Sequence, residues 1–242
     1  MDYQVKLISK NRPGTELHAV GVVLHETATP GATAENEYQY FNRSHVKASA
    51  HAFVDDRAAI QTIPYDETAW HAGQTANSRY IGIEMCRPAY YDPVYFKKVY
   101  QNTVELIADL FLNFIGVLLI TENNLMSHAE VSVKWKETDH TDPNAYFMEY
   151  GKSMDIFRRD VQDRIDEERG TMSRVEEMEK RLSALENKMI YNYIDSNMPH
   201  WARPTIQKLV DRGYLKGNEN NELGLSDEMI RIYVVLDRAG LF

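Results

Sequence analysis

The chain reads as an α/β protein: a central mixed β-sheet flanked by helices, followed by a coiled-coil helix and a small helical C-terminal module. Three observations predict this. Apolar runs such as those within "VGVVLHETATPG" (20–31) and "YIGIEM" (80–85) have the length of buried strands rather than helices. The stretch "PVYFKKVYQNTVELIADLFLNFIG" (93–116) repeats apolar residues at three- and four-residue spacing, the mark of an amphipathic helix. The two kinds of segment alternate along the first 165 residues, and alternation of strands with helices builds layered α/β domains.

Taken in order, "VGVVLHETATPG" runs an apolar segment straight into His25 and then into a Thr/Pro/Gly turn, so a buried strand delivers one imidazole to a strand end. "SAHAFVDDRAAIQTIPY" (49–65) is expected to form a hairpin turning at Asp55-Asp56-Arg57. "YIGIEM" is a further short buried strand. The long helix has Pro93 near its start and Gly116 near its end, positions each residue favours. The first domain is assigned to 1–165 and a linker with a coiled-coil helix to 166–190. In that helix Val175, Met178, Leu182, Leu185 and Met189 fall at 3-4-3-4 spacing among Glu, Lys and Arg, a seam of about two heptads that predicts self-association through 172–190. Residues 191–242 read as a helical module of two or three helices, with a helix start at Ser226 and helix ends at Gly213 and Gly240. So small a module needs support from neighbours or oligomerisation.

Composition narrows the function classes. Of 242 residues, 43% are hydrophobic and 26% charged, as in ordinary soluble domains. The net charge is −9, and up to Gly170 there are 17 Lys+Arg against 25 Asp+Glu. No basic patch is visible, which argues against a nucleic-acid partner. The start "MDYQVKLISKNRPG" lacks the basic and apolar regions of a signal peptide. "LIADLFLNFIGVLLI" is too short and too interrupted, by Asp109, Asn113 and Gly116, to span a membrane. The single cysteine, Cys86, rules out an internal disulfide framework and a multi-cysteine zinc site within one chain.

Eight histidines are present. His25 ends an apolar strand, His128 follows another apolar segment in "NNLMSHAEVS", and His140 and Asp142 share the polar loop "TDHTDPNAYF". Two histidines and a carboxylate from separate loops match a catalytic zinc site, which keeps a position open for water. His18, His45 and His200 read as ordinary surface or packing residues.

The words "VLHET", "SAHAFVDD", "AWHAG", "IGIEM", "SHAEVS" and "HTDP" occur in that order across residues 20–147. This set resembles the zinc-dependent N-acetylmuramoyl-L-alanine amidases of type 2, whose fold is shared with peptidoglycan recognition proteins and phage lysozyme-type amidases. The resemblance covers most of the first 160 residues. It implies zinc as cofactor, peptidoglycan as substrate, and His25, His128 and Asp142 as metal ligands. Where the family usually carries Lys two residues before that aspartate, this chain has His140, which implies an imidazole stabilising the oxyanion; His140 and Asp139 stay open as alternative ligands. Glu84 matches the family's general-base glutamate, since the position of the alternative tyrosine is Ala50. An ion pair with Arg79 or Arg87 is the other account of an acidic residue in that strand. Trp70 and His71 look like a wall of the substrate groove, with simple packing as the alternative. His51 joins them as a residue on the substrate side or as a core histidine. Cys86, two residues from Glu84 and so on the same strand face, reads as a small buried thiol.

The tail, through "IQKLVDRGYLKG" and "LDRAGLF", resembles S-layer-homology-like repeats, which implies attachment to a Gram-positive envelope; a helical oligomerisation cap without a ligand stays open. Head, charged helix and tail together look like a phage endolysin that waits in the host cytoplasm until the membrane is breached, with an autolysin or a non-catalytic peptidoglycan-binding protein as alternatives. The codons of Glu168-Arg169-Gly170 can spell a ribosome-binding sequence ahead of Met172, so an internal start there would yield the helix and tail as a separate chain.

Overall fold

The computed structural model describes residues 1–186 and 190–242. The chain forms two compact units, Met1–Gly170 and Thr171–Phe242.

The first unit is built on six strands: β1 (Asp2–Val5), β2 (Gly21–Glu26), β3 (Ala52–Val54), β4 (Ala58–Gln61), β5 (Tyr80–Met85) and β6 (Leu125–Ser127). They lie in the order β1-β4-β3-β5-β2-β6. Neighbours run parallel except β3 and β4, the hairpin expected around Asp55–Arg57. The sheet is therefore mixed. β2 is buried at every position but its last, because helices cover both faces of a mostly parallel sheet and leave no solvent face for polar alternation.

Helix α1 (Ala34–Arg43) follows β2, the short α2 (Gln74–Asn77) precedes β5, and α3 (Pro93–Asp109) follows it. At the start of α3, Asp92 accepts from the N–H groups of Val94 and Tyr95, both at 3.0 Å, with Pro93 in the first turn. The expected single helix changes hand-hold at its end: residues 110–115 close wider i→i+5 turns, which keep Leu110 and Phe111 both buried, before Gly116 stops the helix at φ 74°. Then come α4 (His128–Trp135), α5 (Asn144–Glu149) and α6 (Met154–Glu186). Leu24, Ile81, Ile83 and Met85 of the sheet pack with Phe96, Ile107 and Phe111, and with Phe147, Phe157 and Val161. Buried Arg158 of α6 ties this layer together. Its Nε donates to the Leu125 carbonyl at 2.9 Å, and its guanidinium pairs with Asp155 and with Glu130 of α4. Among the described residues, no helix is long and apolar enough to cross a membrane.

In the second unit, α7 (Arg203–Asp211) and α8 (Asp227–Arg238) bury Ile206, Leu209, Ile230 and Val234 with Met198 and Ala202. Ser226 caps α8, accepting from the Met229 N–H at 3.2 Å, and Gly213 and Gly240 follow the two helices at φ 72° and 74°. The module is not purely helical as expected. Two two-residue strands, β7 (Ile190–Tyr191) and β8 (Leu225–Ser226), pair antiparallel, and the pairing buries Tyr191 and Leu225 in the small core. Along the helical seam Val175, Met178 and Leu182 are exposed; Met189 and the side chain of Leu185 lie outside the described residues.

Candidate metal centre and catalytic cleft

Parallel strands gather their ligands at their C-terminal ends, and three segments meet there. His25 is the fifth residue of β2, in register with Glu84 of β5. His128 is the first residue of α4. Ser127 and Glu130 fix it through a capping box: the Glu130 N–H donates to Ser127 Oγ at 3.1 Å, and the Ser127 N–H to Glu130 Oε2 at 2.8 Å. Asp142 precedes α5 in a loop sewn to α4. Its carbonyl accepts from the Ala129 N–H at 3.1 Å, and the His140 carbonyl accepts from Ser132 Oγ at 2.8 Å.

The side chains converge. His25 Nδ1 lies 3.0 Å from His128 Nδ1 and 3.2 Å from Asp142 Oδ2, and His128 Nδ1 lies 3.1 Å from Asp142 Oδ1. Among the described residues, His25, His128 and Asp142 form the cluster whose donor atoms all lie within 4.8 Å of one another; Asp139 and His140 are outside it.

The hydrogen bonds behind the cluster decide which nitrogen of His25 faces it. The Tyr80 carbonyl can only accept, so His71 Nε2, 3.1 Å away, carries the proton. His71 Nδ1 must then accept, and His25 Nε2 donates to it at 3.0 Å. His25 Nδ1 is left with a free lone pair directed at the cluster. His128 Nε2 is engaged by Thr138 Oγ1 at 3.1 Å. Lone pairs and a carboxylate facing one another at these distances repel unless a cation lies among them, and two imidazole nitrogens with one carboxylate oxygen are a donor set that suits zinc. Burial pushes the Asp142 carboxyl up, but the facing imidazoles of His128 and His25 outweigh it and hold it well below the usual carboxylate range. Burial, against the pull of Asp142, lowers the His25 imidazole and favours its neutral, ligating form.

The cluster opens into a cleft of about 300 Å³ lined by Glu26, Trp70, Glu84 and His140 among others. Glu84 Oε2 is buried with no hydrogen-bond partner. Burial and the nearby carboxylates of Asp142, Glu37 and Glu26 push this group well up. Neither Arg79 nor Arg87 pairs with it; Arg87 pairs with Glu26 at 3.1 Å and Glu149 at 3.8 Å. His140 lies at the mouth, stacked on His128 with centroids 4.6 Å apart, its Nδ1 3.6 Å from Asp142 Oδ1.

Two expected substrate residues are placed differently. His71 borders the cleft, but both its nitrogens are engaged, so it holds His25 rather than offering a free group to substrate. His51 is fully buried away from the cleft: the Gly82 N–H donates to its Nδ1, and its Nε2 donates to the Glu67 carbonyl, both at 2.8 Å. Burial lowers it to about 4. It is a core histidine. Trp70 lies half-exposed on the cleft wall, and Cys86 is fully buried. Gly82 was invisible as a site residue: a Cβ there would lie 2.5 Å from His71 Cγ, so the bare backbone lets His71 lie over β5. Only the glycine inside a buried strand signalled this.

The chain matches the Amidase_2 family, described as N-acetylmuramoyl-L-alanine amidase, over residues 16–145. The N-acetylmuramoyl-L-alanine amidase CwlL of Bacillus licheniformis is 37% identical over 147 residues, covering 54% of this chain and 39% of that protein. The chain thus matches less than half of this relative's length. Staphylococcus aureus hydrolase AmiA, solved in complex with its ligand, shares the fold with a TM-score of 0.65 at 24% identity, over 70% of this chain and 86% of that one. A mutant endolysin from Bacillus subtilis is 27% identical with a TM-score of 0.55, over 66% of this chain and 99% of that one.

Two outcomes are expected. His71→Leu removes the acceptor that orients His25, and Gly82→Ala displaces the His71 ring. Each should weaken zinc binding about 10- to 100-fold, measured by competition with a chromophoric chelator; unchanged affinity in both refutes the orienting chain. His51, lowered to about 4, stays neutral in the folded protein while an unfolded histidine protonates near 6.5. Stability from this residue is therefore full above pH 6.5 and falls as pH drops toward 4, by about 3 kcal/mol over the window. Histidine ring NMR checks this, and titration of His51 near pH 6.5 would contradict it.

Proposed function

This chain belongs to the Amidase_2 family of N-acetylmuramoyl-L-alanine amidases, and from that premise we propose that it hydrolyses the amide between N-acetylmuramic acid and L-alanine in peptidoglycan. The observation carrying the reading is the convergence of His25, His128 and Asp142 beside Glu84, a carboxyl with an unpartnered oxygen in the same cleft. His25 and His128 through Nδ1 and Asp142 through its carboxylate would hold zinc. Bound there, the ion supplies Lewis-acid chemistry, acidifying water and polarising a carbonyl.

The chain's own groups do the rest. Glu84 takes a proton from the attacking water as its oxygen bonds to the lactyl carbonyl carbon. It then hands that proton to the alanine nitrogen as the C–N bond breaks, leaving a lactyl carboxylate and a free amine. Its raised proton affinity suits a group that must accept a proton and pass it on. His140, at the mouth, presents an N–H to the oxygen that gathers negative charge. Trp70 gives the substrate an apolar wall. The likeness to an endolysin supports a lytic role at the bacterial wall, with phage origin and release from the host cytoplasm as part of the proposal.

The exposed seam of Val175, Met178 and Leu182 supports self-association through the 172–190 helix, since apolar side chains at heptad spacing gain by covering one another. Several copies held together would raise avidity for a polymeric wall. The second unit would serve as a wall anchor or as an oligomerisation cap.

Two measurements test these readings. Asp142→Ala should lose zinc. Glu84→Gln should keep zinc but release L-alanine amines from purified walls at least about 100-fold more slowly. Wild-type protein that binds walls yet holds no zinc and releases no amines would be a recognition protein on the same fold. In sedimentation, Met178→Glu should shift the chain to monomer; a wild-type chain already monomeric at tens of micromolar overturns the self-association.

A further inference from the structure

A depression of about 940 Å³ lies in the first unit apart from the cleft. At its edge three rings lie parallel in a ladder. Phe96 and Tyr150 stack with centroids 4.1 Å apart and planes 3° from parallel; Tyr150 and Tyr91 stack at 5.0 Å and 6°. The inner rung, Phe96, is 5% exposed and belongs to the core, while the outer rung, Tyr91, is 65% exposed. One face of Tyr91 lies on Tyr150, so the other is open. The ladder is held in place by the Asp92 N–H, which donates to the Tyr150 hydroxyl at 3.1 Å. A second depression, of about 170 Å³, is also lined by Tyr91 and Tyr150.

This platform adjoins the cleft. Tyr91 lies in the loop leaving the C-terminal end of β5, which carries Glu84, and Tyr150 ends α5, which follows Asp142. The loop after β5 is bound to the loop after β2: the Gly31 N–H donates to the Arg87 carbonyl at 2.9 Å. Gly31 sits at φ +85°, where a Cβ would come within 3.0 Å of Ala89 Cβ, so only glycine allows the close approach. Arg87 bridges the two places, pairing with Glu26 in the cleft and Glu149 beside the ladder, its guanidinium over the Tyr146 ring.

The surroundings indicate the ligand class. The depression carries Lys97, Lys152 and Arg164 together with Glu105, Glu149 and Asp160, a balance that favours neither an anion nor a cation. A rigid ring face beside a polar rim suits a flat ligand with one apolar face and hydrogen-bonding edges, and a pyranose is built that way. Resting on the peptidoglycan reading, we infer that the open face of Tyr91 is a stacking subsite for a sugar of the glycan strand, beyond the muramoyl residue held in the cleft.

The test uses the full chain and peptide-free oligomers of alternating N-acetylglucosamine and N-acetylmuramic acid, with binding read by calorimetry. Tyr91→Ala should weaken binding about tenfold, as expected for loss of a stacked ring, while Tyr91→Trp retains it. Amide cleavage by Tyr91→Ala should fall through KM on glycan-linked substrates and stay within about twofold of wild type on a single muramoyl-peptide. Equal oligomer binding by wild type and Tyr91→Ala, or an equal loss on both substrates, overturns the inference. Tyr91-dependent binding in a wild-type chain that cleaves no amide would leave the subsite standing and remove the amidase reading.

Discussion

A buried histidine can hold a cation only if something decides which of its nitrogens carries the proton, and here a backbone carbonyl decides it from two residues away. The Tyr80 carbonyl accepts a hydrogen bond from His71 Nε2, His71 Nδ1 in turn accepts one from His25 Nε2, and His25 Nδ1 is left open toward His128 and Asp142. Much of the surrounding architecture serves this chain. β5 supplies Tyr80, Gly82 and Glu84, and it pairs with β2 so that Glu84 lies in register with His25. Gly82 gives up its side chain so that the His71 ring can cross the strand. The same residue's N–H holds His51 from the other direction, so three histidines are ordered around one short strand.

The arrangement concentrates costs that a purely structural core would avoid. Glu26, Glu37 and Glu84 each have a buried oxygen without a partner, and a buried carboxyl without compensation is destabilising by several kcal/mol in the least favourable case, roughly. Glu26 and Glu84 are both pushed upward in pKa by burial, Glu26 to about 7. Native proteins tolerate such groups where chemistry needs them. The stabilising side of the fold lies elsewhere, in the aromatic layer of Phe96, Phe111, Phe147 and Phe157, and in Arg158, which binds α6 to β6 and to the helix that presents His128.

Much of the fold was legible because its signals are local. The strand lengths, the Asp55–Arg57 turn, the Pro93 start of α3, the Ser226 cap and the glycines ending helices all depend on residues within a few positions of one another. The departures have physical causes beyond that range. α3 gives way to wider turns over residues 110–115, where Leu110 and Phe111 are both buried against the long-range core, and the tail gains a strand pair through which Tyr191 and Leu225, far apart in sequence, join the small core.

For the site, the sequence by itself picked out the segments that meet at the cleft: the histidine at the end of an apolar strand, the histidine after "NNLMS", the aspartate before a proline, and the glutamate inside "YIGIEM". Those are properties of short motifs and of their order along the chain. Only the tertiary structure decided what each group is paired with. It assigned His71 to His25 and His51 to backbone partners, left Glu84 without an arginine, and set Tyr91 at the open end of a ring ladder. Each of these depends on contacts between residues tens of positions apart, brought together by sheet register and helix packing, and hydrogen-bond partners at such separations leave no periodicity in a sequence.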